Sequence, residues 1–228
     1  MARVSQLFDV LNKITIDALI KPKCIGEREL ATQHLLNVMP NDLVLLDRGY
    51  PVWWLFNLIL SMEVNFCARV SCTKWKIVRK FFRSGLSEKV VTVPAHSSSV
   101  VQCKQMGLDT TPLKLRLIRI ENDGKVAVLI TSLIDTQKYP IELFSDLYHK
   151  RWPVEEDYKI IRCRIELENF SGPGANGQRH SSYKAPIPNK FHPGTLKEQR
   201  RHRAFVIRHQ TAGQTVDHRS ANYFSKNR

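Results

Sequence analysis

An α/β fold is predicted by the alternation of β-prone runs with helical patterns along the first 170 residues. Residues 43–46 (Leu-Val-Leu-Leu) form a short, wholly apolar run, as expected for a strand that is covered on both faces. The runs 7–11 and 14–20 have strand-type composition and lie close enough together to form a hairpin. Helical patterns at 26–38 and 52–61 flank the apolar run. At 228 residues, the chain is long enough to bury a sizeable core.

The two helical patterns each have a recognisable start or stripe. In the first, apolar residues and one histidine share a single face: Leu30, His34, Leu35 and Val38. In the second, Pro51 precedes an apolar segment that we expect to be a buried helix, with Trp53 and Trp54 in the core. A further strand is predicted at 65–71.

Residues 73–132 change in character and are predicted to be a β-rich insert. The expected strands are 76–82, 89–93, 113–120 and 125–131, with a hairpin turn at Asn122-Asp123-Gly124. Two helices are expected after the insert, at 141–148 and at 154–167. The predicted organisation is therefore a first core part (1–72), the insert (73–132), a helical core part (133–170) and a tail (171–228).

Charge and composition favour a polyanionic partner. The formal net charge is +14, of which residues 171–228 contribute +9, with 11 basic and 2 acidic residues. This tail contains only five Ile, Leu or Val residues, so we expect it to be a disordered basic segment. No apolar run reaches the ~18 residues of a membrane span, and we expect a cytoplasmic protein located at the chromosome. The five cysteines form no C-x-x-C pair, which argues against a zinc site.

The strongest motif lies around residues 148–162. Tyr148, Arg151 and Glu155 are spaced by three and four residues, so a helix would place them on one face. Arg162 follows seven residues after Glu155, again on that face. About a hundred residues upstream, Asp47 ends the apolar run at 43–46, which is where open α/β sheets place their ligands.

This combination resembles the DDE transposases of bacterial insertion sequences, in particular the branch with a Tyr-x2-Arg-x3-Glu-x6-Lys signature. Tyr148, Arg151 and Glu155 match that signature, and Arg162 stands where the family has Lys. The context Leu-Leu-Asp47-Arg48-Gly49-Tyr50 is similar to that of the second catalytic Asp of the family. The resemblance covers roughly residues 3–172 and implies a ribonuclease-H-like core that carries the β-rich insert.

The resemblance implies two-metal phosphoryl transfer on DNA, with Asp47 and Glu155 as catalytic, metal-binding carboxylates. Such sites hold two Mg²⁺ ions about 3.5–4 Å apart, one at the attacking oxygen and one at the leaving oxygen. In the family, the first catalytic Asp lies on a central strand upstream of the hairpin, and this chain starts too late to include that strand. We do not expect Asp9 or Asp17 to replace it, because both alternate with apolar residues and should face solvent. The expected result is a fragment that is inactive and unstable alone.

The resemblance also implies contacts with double-stranded DNA at transposon ends, and a dimer in intact relatives. Tyr148, Arg151 and Arg162 would contact phosphates, a role that suits arginine. In the insert, Trp75 lies among Lys74, Lys76, Arg79 and Lys80, so it could stack on an unpaired base, or the segment could be a hairpin with a cationic outer face. After Gly172 hydrophobic periodicity stops abruptly, which favours a frameshifted tail over an evolved one.

Simpler interpretations remain open for each residue alone. Asp47 could form a turn at a strand end, and Glu155 could be a first-turn acid that the helix dipole favours. A non-catalytic DNA-binding protein, using its basic surface and tail, is the alternative function. A generic basic α/β domain with structural acids is the third hypothesis.

Overall fold

One eight-stranded sheet organises the part of the chain that the structure describes, residues 2–122, 125–150 and 204–211 of a computed structural model. The strands are β1 (Ala2–Asp9), β2 (Ile14–Pro22), β3 (Leu43–Leu46), β4 (Asn65–Val70), β5 (Glu88–Val93), β6 (Leu113–Asn122), β7 (Lys125–Thr131) and β8 (Ala204–Thr211). The helices are α1 (Glu27–His34), α2 (Trp53–Ser61), α3 (Lys76–Arg83), α4 (Ser97–Gln105) and α5 (Leu143–His149), with a 3₁₀ turn at Leu35–Asn37 after α1.

The strand order is β2-β1-β8-β3-β4-β7-β6-β5. The three neighbours β8, β3 and β4 run parallel, whereas the pairs on either side of them are antiparallel. The insert strands β5, β6 and β7 extend the same sheet, because β7 pairs with β4. The predicted hairpin is present as β1 and β2, with a register shift between Leu7 and Phe8.

Helices cover both faces of the sheet, as the apolar strand at 43–46 predicts. Helices α1 to α4 pack on one face, where Val44 and Leu46 of β3 are fully buried. On the other face, Leu45 packs with Phe144 and Tyr148 of α5. Alternate residues of one strand thus enter two separate cores, and the side chain of Asp47, next after Leu46, belongs by alternation to the α5 face. No helix in the described part is long and apolar enough to cross a membrane.

Strand β8 corrects the expectation of a disordered tail for residues 204–211. This segment lies between β1 and β3, antiparallel to the first and parallel to the second. Phe205, Val206 and Ile207 are at most 1% exposed. Averaged over 58 residues, the tail composition predicts disorder, but its one local run of three large apolar residues suffices for a buried strand. The other tail residues lie outside the described ranges.

Helix α3 corrects a second prediction, the strand at 76–82. The apolar residues of this segment occur as two adjacent pairs, Ile77-Val78 and Phe81-Phe82, so they recur every four residues. That spacing fits one stripe of a helix, and Val78 and Phe81 are buried while the lysines and arginines are exposed. The β-branched and aromatic composition suggested a strand, but the period decides for a helix.

The remaining predicted elements agree with the structure apart from their ends, except those that lie outside the described residues. The helix expected at 141–148 begins at Leu143. The turn residues Asp123 and Gly124 lie outside the described ranges. So do residues 151–170, which include the helix expected at 154–167. Within the insert, α4 was not predicted from the sequence. Its Ser-rich start has little apolar periodicity, and only Ser99 and Cys103 are buried.

A truncation of Phe205 to Ala should destabilise the fold strongly. The ring is fully buried against the α1–α4 face of the sheet, so its loss leaves a cavity. The expected decrease in the free energy of unfolding is about 3–5 kcal/mol, measured by urea denaturation of the 228-residue chain.

Leu36→Ala is the matched control, because Leu36 is 83% exposed and its removal should change stability by less than about 0.5 kcal/mol. Equal effects of the two substitutions would show that residues 204–211 do not form a buried strand in solution.

Candidate functional site

Asp47 lies at the carboxyl end of β3 and begins a tight turn. The Tyr50 amide donates to the Asp47 carbonyl oxygen at 3.1 Å. The carboxylate oxygen Oδ1 accepts a hydrogen bond from the Arg48 amide at 2.7 Å. Asp47 is half-buried.

The turn that carries Asp47 is fastened to α1 and to the core. The Arg28 guanidinium donates to the carbonyl oxygens of Gly49 and Tyr50, at 3.1 and 3.3 Å. The Tyr50 ring is 1% exposed and packs in the core on the α1–α4 face. The segment Asp47-Arg48-Gly49-Tyr50 therefore has a fixed path that holds the carboxylate at the sheet edge.

Tyr148 contacts Asp47, although the two residues are distant in sequence. Its hydroxyl donates to Asp47 Oδ1 at 3.4 Å, a long hydrogen bond between residues 101 positions apart. Tyr148 lies in the last turn of α5 and is 7% exposed. Two of the residues predicted for the site are thus brought together on the α5 face of the sheet.

A buried arginine holds α5 in this position. Arg116 of β6 is 0% exposed, and its guanidinium donates to the Glu88 carboxylate and to the carbonyl oxygens of Tyr139 (2.6 Å) and Leu133 (3.4 Å). It also lies over the Phe144 ring, 5.2 Å from the centroid. Arg116 therefore joins the insert strands to the loop before α5 and to α5 itself. The same strand also carries Lys114 and Arg119, so no sequence signal singles out Arg116 as the buried cation.

Gln6 is a further polar residue that sequence reasoning missed. Its side chain is fully buried on β1, and neither the carboxamide nitrogen nor the oxygen has a hydrogen-bond partner among the described residues. Gln6 is paired with Arg208 of β8, and Arg208 directly follows the Ile207–Leu46 pair, at the level of Asp47. Two strand spacings separate Gln6 from Asp47, about 10 Å between backbones. A buried carboxamide without a partner is costly, so it marks a place where another polar group belongs.

Comparison with known families decides what this arrangement belongs to. The family model described as "Transposase DDE domain" matches residues 3–179. The chain belongs to this family of transposases. A curated relative, "Transposase InsG for insertion sequence element IS4" from Escherichia coli (strain K12), is 26% identical over 146 residues. Those residues are 64% of this chain and 32% of the relative, so the chain spans about a third of that relative's length. No solved structure matches it.

Four further residues were predicted for the site of the transposase domain, and only Trp75 lies in the described part of the chain. Arg151, Glu155 and Arg162 lie outside the described residues. Trp75 caps the start of α3, where its half-buried ring packs against Phe56 at 5.9 Å between centroids, so a large part of the ring is used in the core. Its expected role in base stacking remains a prediction.

Asp9 and Asp17 have structural roles. The prediction that Asp9 faces solvent is wrong. The Asp9 carboxylate is 1% exposed and accepts hydrogen bonds from the Leu11 and Asn12 amides and from the Asn12 side chain, which closes the turn between β1 and β2. The sequence suggested only alternation along a strand, but Asp9 ends the strand and caps a turn.

Asp17 belongs to a buried polar chain with the order of a nucleophilic triad. His34 Nδ1 donates to the Asp17 carboxylate at 2.8 Å, and Nε2 lies 2.9 Å from the Ser5 hydroxyl. Ser5 and His34 are both 0% exposed, so no substrate reaches the hydroxyl. These three side chains therefore fasten α1 to the hairpin, and they are not a second active site.

The transposase domain requires a divalent metal by family expectation, and the described residues fit it in part. Asp47 supplies a hard oxygen ligand of the kind that Mg²⁺ prefers. No group of three His, Cys, Asp or Glu residues that could hold a metal ion exists within the described ranges. Strand β8, which fills the central position next to β3, contains neither Asp nor Glu. A site of three carboxylates therefore needs acids beyond the residues described, and Glu155 remains a prediction for one of them.

Cys67 of β4 lies beneath this site, in the core that contains Phe144 and Tyr148. Its burial raises the pKa of the thiol from 9.0 to about 12, partly offset by a hydrogen bond with Thr131. The thiol is therefore neutral and apolar in its behaviour, and is neither a nucleophile nor a metal ligand at neutral pH. Cys24, by contrast, is exposed.

A double-mutant cycle should detect the contact between the Tyr148 hydroxyl and the Asp47 carboxylate. Tyr148→Phe removes the donor and Asp47→Ala removes the acceptor, and the expected coupling in unfolding free energy is about 0.5–1 kcal/mol. The cycle is measured by urea denaturation. The pair Tyr148→Phe and Asp109→Ala is the control, since Asp109 is exposed on another loop and the two effects should add. Additivity in both cycles would mean that the contact is absent in solution.

Thiol labelling should separate Cys24 from Cys67. Iodoacetamide at about pH 8 should alkylate Cys24 in the native protein and spare Cys67 until the chain is unfolded.

Because the folded-state pKa of Cys67 is raised, its contribution to stability is complete below pH 9.0 and is lost as the pH rises to about 12. Cys67→Ala should remove this part of the alkaline destabilisation. Native labelling of Cys67 as fast as Cys24 would contradict its burial.

Proposed function

We propose that this chain acts in DNA transposition through phosphoryl transfer assisted by two divalent metal ions, with Asp47 and Glu155 as metal-binding carboxylates. One observation carries the proposal: Tyr148, the first residue of the motif that contains Glu155, donates to Asp47 at the carboxyl end of a parallel strand. Tyr148 and the strand-end acid, 101 residues apart in sequence, therefore meet at one edge of the sheet. Membership of the transposase DDE domain family supports the same activity.

Each residue of the chain has a distinct task in this proposal. Asp47 would hold Mg²⁺ through an oxygen that the Arg48 amide and the Tyr148 hydroxyl already orient. When bound, Mg²⁺ supplies activation of the attacking oxygen and stabilisation of the leaving oxygen. Arg151 and Arg162 would bind DNA phosphates beside Glu155, where the guanidinium can make two parallel hydrogen bonds.

The 228-residue chain by itself should not cleave DNA. The family resemblance puts the first carboxylate on the central strand beside β3, and that position is filled by β8 without any acid. Two carboxylates would then have to do the work of three. The proposed partner remains double-stranded DNA, with transposon ends and target as substrates, a dimer as the assembly and the bacterial chromosome in the cytoplasm as the location.

A non-catalytic DNA-binding protein is the alternative, and Asp47 distinguishes the two. A metal ligand couples DNA affinity to Mg²⁺, because a bound cation next to phosphate attracts the polyanion. In a protein that only binds DNA, Asp47 is a negative charge near phosphate, and its removal should leave affinity unchanged or raise it.

The test is a titration of duplex DNA into the chain with and without Mg²⁺, comparing wild type with Asp47→Asn. We expect Mg²⁺ to raise the affinity of the wild type by about 5- to 150-fold, the usual range of coupling between two ligands, and to have little effect on the variant.

Asp109→Asn is the matched control, because it removes an exposed carboxylate on the loop after α4 and should keep the Mg²⁺ effect. The same response to Mg²⁺ in wild type and Asp47→Asn would overturn the role of Asp47 as a ligand. Metal-dependent strand cleavage by the purified chain would overturn its proposed inactivity.

A further inference from the structure

Helix α3 carries a cationic stripe on its exposed side. Lys76, Lys80 and Arg83 are spaced by four and three residues, so they lie on one face, with Arg79 beside them. All four are exposed. Residues 73–93 contain six basic residues and one acid, a net charge of +5. Residues 1–170 as a whole also have a net charge of +5, so this short segment accounts for the entire excess there.

Among the described residues, no acid forms an ion pair with the stripe. The one acid of the segment, Glu88, is engaged by the buried Arg116. The other ion pairs seen among the described residues, Arg3 with Glu27 and His34 with Asp17, do not involve α3. Nor does α3 contain an acid in its first turn, where the helix dipole favours one and Lys76 is found instead. A structural role does not explain a cation there, whereas a bound polyanion would offset it.

The opposite side of α3 is committed to the protein core. Val78 and Phe81 are buried, and Ile77 and Phe82 are partly buried against the same cluster. Basic amphipathic helices that bind membranes insert their apolar face into the lipid. In α3 that face is already packed against the sheet, so only the charged face is available to a partner.

We propose that the α3 stripe, defined as Lys76, Lys80 and Arg83, is a docking surface for the phosphate backbone of duplex DNA, separate from Asp47 and Tyr148. The stripe is about 10 Å long, since seven residues of helix rise about 1.5 Å each. This length corresponds to about three base pairs along the duplex axis, so three cations can each meet one phosphate. The surface deepens the proposed function, on which it rests for the choice of DNA as the polyanion.

The experiment compares two triple variants of the full chain that lose the same charge. The test variant is Lys76→Gln, Lys80→Gln and Arg83→Gln, since glutamine keeps the length and helix propensity of the side chains. The control variant is Lys13→Gln, Lys114→Gln and Lys138→Gln, three exposed cations outside α3. Affinity for a short random-sequence duplex is measured at several salt concentrations with chelator and no divalent metal.

The logarithm of the DNA association constant decreases linearly with the logarithm of the salt concentration. Each phosphate contact of the stripe should contribute about 0.9 to the magnitude of this salt slope. Between about 50 and 200 mM salt, the wild type and the control variant should therefore lose about fortyfold more affinity than the test variant. Equal behaviour of the two variants would overturn the proposal, because net charge alone would then explain binding. So would a test variant that binds DNA like wild type but loses binding to vesicles of equal parts phosphatidylserine and phosphatidylcholine.

This outcome is independent of the metal site. The assay contains no metal, so it measures the contribution of the stripe without the Mg²⁺ coupling at Asp47. A stripe without effect would leave the Mg²⁺ coupling at Asp47 intact, and a failed Mg²⁺ coupling would leave the stripe intact.

Discussion

The pairing of β8 with both β1 and β3 is the constraint on which the described fold depends. Without it, the described strands would form two separate sheets, each with an open edge beside the missing strand. One sheet would be the β1–β2 hairpin, and the other would contain β3, β4, β7, β6 and β5. Eight residues supply backbone partners to both edges and put Phe205 and Ile207 into one core and Val206 into the other. The carboxyl end of β3, where Asp47 lies, is flanked on both sides by parallel strands only because β8 is present.

Two further contacts convert this sheet into a candidate site. Arg28 fixes the turn after β3 from the α1 side, and Arg116 fixes α5 from the insert side. The segments that carry Asp47 and Tyr148 are thus each held through backbone carbonyls that a guanidinium binds. The insert therefore has a part in the site through packing, because its Arg116 holds the helix that carries Tyr148.

How much the sequence predicts depends on how local the signal is. The apolar strand before Asp47 and the hairpin follow from short patterns, and the expectation that Asp47 and Tyr148 share one site follows from family resemblance. Helix α3 was mistaken for a strand because β-branched and aromatic residues outweighed a clear helical period. Strand β8 could not be placed, because nothing in Ala-Phe-Val-Ile specifies partners nearly 200 residues upstream. Gln6 and Arg116 lie in strands that also contain other polar residues, so only the fold reveals that these two are buried.

The late position of β8 also sets the order in which the protein can form during translation. The β1–β2 hairpin and β3 leave the ribosome long before residues 204–211 are made. At about 5–20 residues per second, the edges of β1 and β3 stay unpaired for about 10–40 s. Exposed strand edges recruit other strands. The nascent chain thus passes through a prolonged interval in which chaperones or neighbouring chains compete with its own final strand.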